Sequence, residues 1–239
     1  LRAQQEENRL NIERVRTLRA WQEAPIEELL DLLETGSGGD SFILDTLYYA
    51  RSAALSPAHL ERLNVIAPNL NFRSGGGRNA DMLECYLTVI EDNPARFFRY
   101  WDLLRVNKTQ SPHHEVMLAA GDLQIDRKDV LNYLIGQVAR NGLMRFFHQF
   151  DAMLALGKIG QAAGEAAAAT IEQHIYESSD SVASVRRLAI ARIRSPRDDW
   201  RRCDMCFRGK VLNTIGEGLG LTFVPCSRCF GLGHVSVRE

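Results

Sequence analysis

The sequence predicts a mainly α fold: a helical, bundle-like body followed by a small C-terminal β-hairpin module built on four cysteines. Three observations predict it. Apolar residues recur every three or four positions through most of residues 10–194, the pattern of helices with one buried face. Segments rich in β-forming residues are essentially absent before residue 210. Four of the five cysteines fall in the last forty residues, as two C-x-x-C pairs.

The helices follow in order. Leu10, Ile12, Val15, Leu18 and Trp21 share helical spacing within a stretch rich in Arg, Glu and Gln, which predicts an amphipathic helix. Pro25 fits the start of a second helix, PIEELLDLLE, which Gly36–Gly39 should stop. DSFILDTLYYARSAAL is a third, with Asp40 or Ser41 placed to cap it. Ser56 followed by Pro57 marks the start of a fourth, SPAHLERLNVI. APNLNFRSGGGRNA then reads as a loop, because three consecutive glycines oppose regular structure. DMLECYLTVIEDN and PARFFRYWDLLRV resume the helical period, the latter with Pro94 in its first turn. SPHHEVMLAAGD and a long helical stretch from Asp126 follow. Within that stretch the alanine-rich run 162–169 favours helix and close packing. DSVASVRRLAIARIR is the last helix before Ser195–Pro196. These readings divide the chain into an N-terminal helical region (1–72), a Gly-rich linker (73–79), a central helical domain (80–197) and a metal module (198–239).

The helical body offers no catalytic constellation. The glycine loop lacks the G-x-x-x-x-G-K-[ST] spacing and a preceding strand, so it is not a phosphate loop. His113, His114 and Glu115 are neighbours on a helix and diverge, which makes a poor metal site and suits an exposed helix start. His148 and His174 read as surface or satisfied core residues, and Cys85 as a small buried hydrophobe. The clusters Phe97, Phe98, Tyr100, Trp101 and Phe146, Phe147, Phe150 read as helix-packing core. No enzyme is expected.

Charge is unevenly placed. Residues 1–185 carry 18 basic and 25 acidic side chains, a net of −7; residues 186–239 carry 11 basic and 5 acidic, a net of +6. An acidic body with a basic end suits a polyanion contact near the C-terminus. The plainer alternative is that the basic residues offset nearby acids or an anionic metal cluster. No apolar run approaches the ~20 residues that span a bilayer, and the charged stretch Leu1–Trp21 is no signal peptide. The chain is therefore expected to be cytoplasmic, where paired cysteines read as metal ligands rather than disulfides.

Cys203 and Cys206 form one pair, Cys226 and Cys229 the other, with nineteen residues between them. This is the spacing of a four-cysteine zinc site. Each C-x-x-C turn aims two thiolates at one point, and two turns complete a tetrahedron. Sulfur fills every position, so one structural Zn2+ is expected and no catalysis at the metal. Four thiolates on one Zn2+ carry a formal −2, which Arg201, Arg202, Arg208, Lys210 and Arg228 would offset. Gly209, Gly231 and Gly233 supply left-handed turns around the sulfurs. Between the pairs, Lys210–Thr214 and Leu221–Val224 read as a hairpin about a Gly-rich centre.

CSRCFGLGH, residues 226–234, matches a C-x-x-C-x-G-x-G repeat. That repeat resembles the cysteine-rich module of DnaJ-type chaperones and, more nearly, the zinc module of bacteriophage late-gene antitermination proteins of the Q type. The layout SVRRLAIARIRSPRDDWRRCDMC, a helix ending in a basic stretch and leading into the first pair, is similar to the latter. The likeness covers about residues 185–235; in the first pair, CDMCFRGKV, the glycine comes one position late. The resemblance implies a transcription factor that binds DNA near a phage late promoter, joins the host's RNA polymerase and suppresses termination, inside the bacterial cell. It makes Arg186, Arg187, Arg192, Arg194, Arg197, Arg201, Arg202, Lys210 and Arg228 the candidate DNA contacts, chiefly to phosphate. The rival reading is a chaperone-like or scaffold protein, whose hairpin grips peptide and whose arginines only balance the cluster.

Overall fold

A computed structural model describes residues 17, 20, 21, 23–36, 40–73, 78–106, 114–140, 146–175, 180–214 and 221–237. The chain is mainly helical, with short strands at the C-terminal end beside a four-cysteine cluster. It divides into two compact units: residues 1–83 with 210–224, and residues 84–209 with 225–239. The two cysteine pairs thus share a unit with the central helices, and the arm between them belongs to the N-terminal unit.

In the N-terminal unit, helix α1 (Ile26–Thr35) begins after Pro25 and ends at Gly36, whose φ of 75° is left-handed and whose N–H donates to the Leu32 carbonyl. Its Leu29, Leu30 and Leu33 are fully buried. Of the helix expected over Leu10–Trp21, only Thr17, Ala20 and Trp21 lie within the described residues, and they are helical. The third expected helix is not uniform. Helix α2 (Asp40–Asp45) widens into a π-helical turn at Thr46–Ala50 and tightens to a 3-10 turn at Ser52–Ala54.

Helix α3 (Pro57–Arg73) is capped by Ser56. The Ser56 hydroxyl accepts from the His59 N–H, and His59 Nδ1 accepts from the Ser56 N–H at 3.0 Å. Histidine here fills the place that Glu takes in the usual reciprocal cap. The break expected from Ala67 comes later: α3 runs on to Arg73 with Pro68 inside it, and Leu70 is buried in the core. That burial is a tertiary gain, and the local cost of an internal proline does not anticipate it. Helix α4 (Arg78–Ile90) then starts within the expected linker; Gly75–Gly77 lie outside the described residues. Arg62 of α3 ties α1 down by donating to Glu27 (3.0 Å), Asp31 and Glu34 (2.7 Å). The arm strands β2 (Lys210–Thr214) and β3 (Leu221–Pro225) pair with each other, and Lys210 Nζ sits 4.5 Å from the Tyr49 ring centre, over the π-turn.

In the second unit, α5 (Pro94–Val106), α6 (His114–Asp122), α7 (Lys128–Ala139), α8 (Phe146–Ile159), α9 (Gly164–His174) and α10 (Asp180–Arg194) succeed the end of α4. Asn93 caps α5 by accepting from the Arg96 N–H. Trp101 donates its indole N–H to Asp129 and stacks on Phe97, and both rings are buried. Helix α8 is the centre: α6, α7 and α10 pack on it, and residues Ala152–Ile159 are all buried. A helix apolar on every side belongs inside. Small residues set the spacing. A Cβ on Gly121 would come 2.8 Å from the Ala155 Cα, and one on Gly157 would come 2.9 Å from the Ala189 Cβ. The long helical stretch from Asp126 is interrupted at Gly160–Ala163, a 3-10 turn that opens on Gly160 and is followed by Gly164, both with positive φ. Glu115 corrects the expectation of an exposed helix start, since it is buried at the beginning of α6. His113 and the side chains of His114, Phe146 and Phe147 lie outside the described residues; Cys85 is buried as expected.

Candidate metal centre

The chain enters the site from α10 through a 3-10 turn at Arg197–Asp199 and strand β1 (Trp200–Arg202). It leaves through β4 (His234–Ser236), which runs antiparallel to β1 with Trp200 opposite Ser236 and Arg202 opposite His234. Three-residue strands are too short for a period-2 pattern to show, and this pair was not legible in the sequence. The knuckles are cross-linked by backbone in a reciprocal way. The Cys203 N–H donates to the Gly233 carbonyl (2.9 Å), and the Cys226 N–H donates to the Gly209 carbonyl (2.8 Å).

The late glycine of the first pair is accommodated by a shift of one residue. In the second knuckle Phe230 (φ 49°) and Gly231 (φ 92°) take left-handed conformations directly after Cys229. In the first, Phe207 intervenes, and Arg208 (φ 49°) and Gly209 (φ 91°) play that part. The knuckles approach closely at Gly209, where an added Cβ would run into the Gly231 carbonyl.

The four sulfurs of Cys203, Cys206, Cys226 and Cys229 all lie within 4.8 Å of one another. Cys206 and Cys229 are 3.5 Å apart, Cys203 and Cys226 3.9 Å. Thiolates ~2.3 Å from a central ion sit ~3.8 Å apart in a tetrahedron, so the donors fit one ion. All four are free thiols, and all but Cys206 are buried. Burial pushes the Cys206 and Cys229 thiols up, and the nearness of Cys229 adds to this at Cys206. Burial also works to raise Cys226, but the N–H groups of Cys229 and Arg228 overcome it and hold that thiol below its ordinary value. The Gly233 N–H points at Cys229 Sγ, 3.3 Å away. A bound cation would reverse the cost of ionising the buried thiols.

The site is rooted in the helices. Leu232 is buried, and its Cδ2 occupies the space that a Cβ on Gly157 would enter at 2.6 Å. Lys158 Nζ donates to Asp122 Oδ1 (2.8 Å) and to the Arg208 carbonyl (3.0 Å), joining α8 and α6 to the first knuckle. Both side chains of that ion pair are almost wholly buried. Lys158→Met is expected to cost about 3–5 kcal/mol, because it withdraws the ammonium from a buried carboxylate. Lys158→Met with Asp122→Leu should recover much of the loss in urea melts. Sequence reasoning missed Lys158; no local pattern marks it.

The nine basic candidates part company. Arg187, Arg197, Arg201 and Arg202 are exposed. Arg194 is held by Glu165 and Glu172 in five hydrogen bonds. Arg186 donates to the Glu172 carbonyl and Arg228 to Asp204. Lys210 covers Tyr49. Arg192 is 5% exposed, and its Nη1 donates to the Leu232 carbonyl and, at 2.7 Å, to His234 Nδ1. Arg192 thus supports the second knuckle from a nearly buried position.

His234 receives that bond as a neutral ring. Burial first, then the Arg192 charge, pushes its pKa down to about 4 from the ordinary 6.5. Between these values the unfolded chain takes up a proton that the folded chain refuses. Stability is therefore full above about pH 6.5 and is lost as pH falls toward about 4. The contribution is of the order of 1–2 kcal/mol, less than the full shift would give, because the ring is partly exposed to solvent. Acid titration of wild type against His234→Asn checks this, since metal loss is common to both and the difference isolates the ring.

Fold and site together define a mainly helical protein whose C-terminal knuckles hold four thiols around one metal position. Compared with known protein families, curated proteins and solved structures, the chain finds no match. No described helix is long and apolar enough to cross a membrane.

Proposed function

We propose that the chain is a DNA-binding transcription factor whose C-terminal knuckles are held by one structural Zn2+, and that it acts in late-gene antitermination of the bacteriophage type by joining RNA polymerase. The observation that carries the DNA reading is the placement of Arg197, Arg201 and Arg202. They are exposed directly before Cys203, and among the described residues none of them forms an ion pair. A metal-braced strand that presents unmatched arginines suits phosphate, which Arg binds through paired N–H groups. Zinc suits the site because four soft thiolates in a tetrahedron favour it, and because a four-sulfur shell serves a structural role without redox chemistry. Four filled positions also favour a non-enzymatic role. The antitermination reading rests on the resemblance of residues 185–235 to that zinc module, and places the protein in the bacterial cytoplasm. The acidic N-terminal region suits a protein partner such as a basic surface of the polymerase.

A second reading has its own support. Arg186, Arg192, Arg194 and Arg228 are engaged within the protein, as expected if much of the basicity serves structure in a protein-interaction or chaperone-like module. Salt separates the two. With four phosphate contacts, by Arg187, Arg197, Arg201 and Arg202, log K for mixed-sequence duplex DNA should fall with log salt at a slope of roughly −3 to −4. Elemental analysis should give one zinc per chain. No binding at low salt would reject the DNA reading and leave the peptide-binding one.

A further inference from the structure

Beside the knuckles, within the second unit, lies a cleft of about 800 Å3 bounded by the α6 end, the α8 end, α10, β1 and both knuckles. Arg192, Arg197, Arg202 and Trp200 line it. Arg192 is the unusual member. The residue is only 5% exposed, yet among the described residues no carboxylate forms an ion pair with it, and its Nε and Nη2 groups, without a protein hydrogen-bond partner, are left to the solvent of the cleft. A buried cation with donors to spare is costly unless an anion completes it. Trp200 adds a buried donor: its indole N–H is shielded from solvent and, among the described residues, has no acceptor. Arg197 and Arg202 stand at the same cleft and, among the described residues, form no ion pair. The acids that face it are Asp122, already bonded to Lys158, and the exposed Asp92 and Asp126.

We propose that this cleft is an oxyanion site that takes a phosphate group, with Arg192 as its buried anchor and Arg197 and Arg202 as its outer clamp. Three guanidinium groups offer the planar, multiple N–H donors that phosphate oxygens accept. The phosphate could belong to a nucleic-acid backbone, which would deepen the DNA reading and in that case rests on it, or to a free ion or nucleotide. The competing account is that Arg192 only balances the formal −2 of a loaded thiolate cluster, in which case added phosphate has nowhere to bind.

The test uses the full-length, metal-loaded protein and inorganic phosphate at constant ionic strength. The indole N–H resonance of Trp200, assigned with Trp200→Phe, should move saturably, while those of Trp21 and Trp101 stay in place. Arg202→Glu, on an exposed strand, should weaken phosphate binding at least about tenfold; Arg192→Met should abolish it, with the other two indole signals as the check on folding. A Trp200 resonance that ignores phosphate, or an affinity unchanged by Arg202→Glu, overturns the proposal whatever DNA does. Duplex DNA that displaces phosphate from a responding site identifies the backbone as the source. DNA that binds without touching that signal leaves a site for free phosphate. Absence of DNA binding with phosphate binding intact defeats only the DNA reading.

Discussion

Withdrawing the metal, by chelation or by Cys229→Ser, is expected to destabilise the whole second unit rather than the knuckles alone. Binding energy at a structural site is folding energy, about 10–16 kcal/mol for zinc in small modules, which is comparable to the ~5–15 kcal/mol that holds a typical domain. An independent C-terminal module would melt by itself and leave the helices intact. The structure gives the knuckles a different standing. Leu232 fills the space beside Gly157 and Ala189, Lys158 is bonded to the Arg208 carbonyl, and Arg192 to the Leu232 carbonyl and His234. Loss of the knuckles would leave a cavity at Leu232 and two buried cations short of partners. Hydrogen exchange on the chelated protein should show lost protection in α8 and α10, with α1 and α3 unchanged. Full protection in α8 would show that the helices stand without the metal.

Gly209→Ala is expected to be the most damaging added methyl among the described glycines. The added Cβ would come 2.0 Å from the Gly231 carbonyl oxygen and 2.4 Å from its carbon. Those are backbone atoms of the facing knuckle and cannot swing aside. The φ of 91° at Gly209 adds the strain that an L side chain meets there. Overpacking and strain together place the loss at roughly 3–5 kcal/mol, with metal affinity falling in parallel because the two pairs are pushed apart. Gly136→Ala is the matched control. It lies inside α7 with nothing within 4 Å of the new Cβ, so it should stabilise by about 0.5–1 kcal/mol. A Gly209→Ala protein that melts and binds metal like wild type would contradict the knuckle geometry.

The sequence by itself determined the helical class, most helix starts and the four metal-facing cysteines. Those features are written locally. Pro25, Ser56–Pro57 and Asn93–Pro94 start helices through their own backbone and side-chain chemistry, and C-x-x-C places two sulfurs together whatever surrounds it. The tertiary structure decided the rest, because it depends on which residues face each other across the chain. Pro68 stays helical because Leu70 finds a core. Lys158 gains meaning only from Asp122 and Arg208, one of them fifty residues away. Arg192 and Arg202 look alike in the sequence, yet one is buried against Leu232 and His234 and the other is exposed on β1. Charge is a property of a residue; whether that charge meets solvent, a carbonyl or a ligand is a property of the fold.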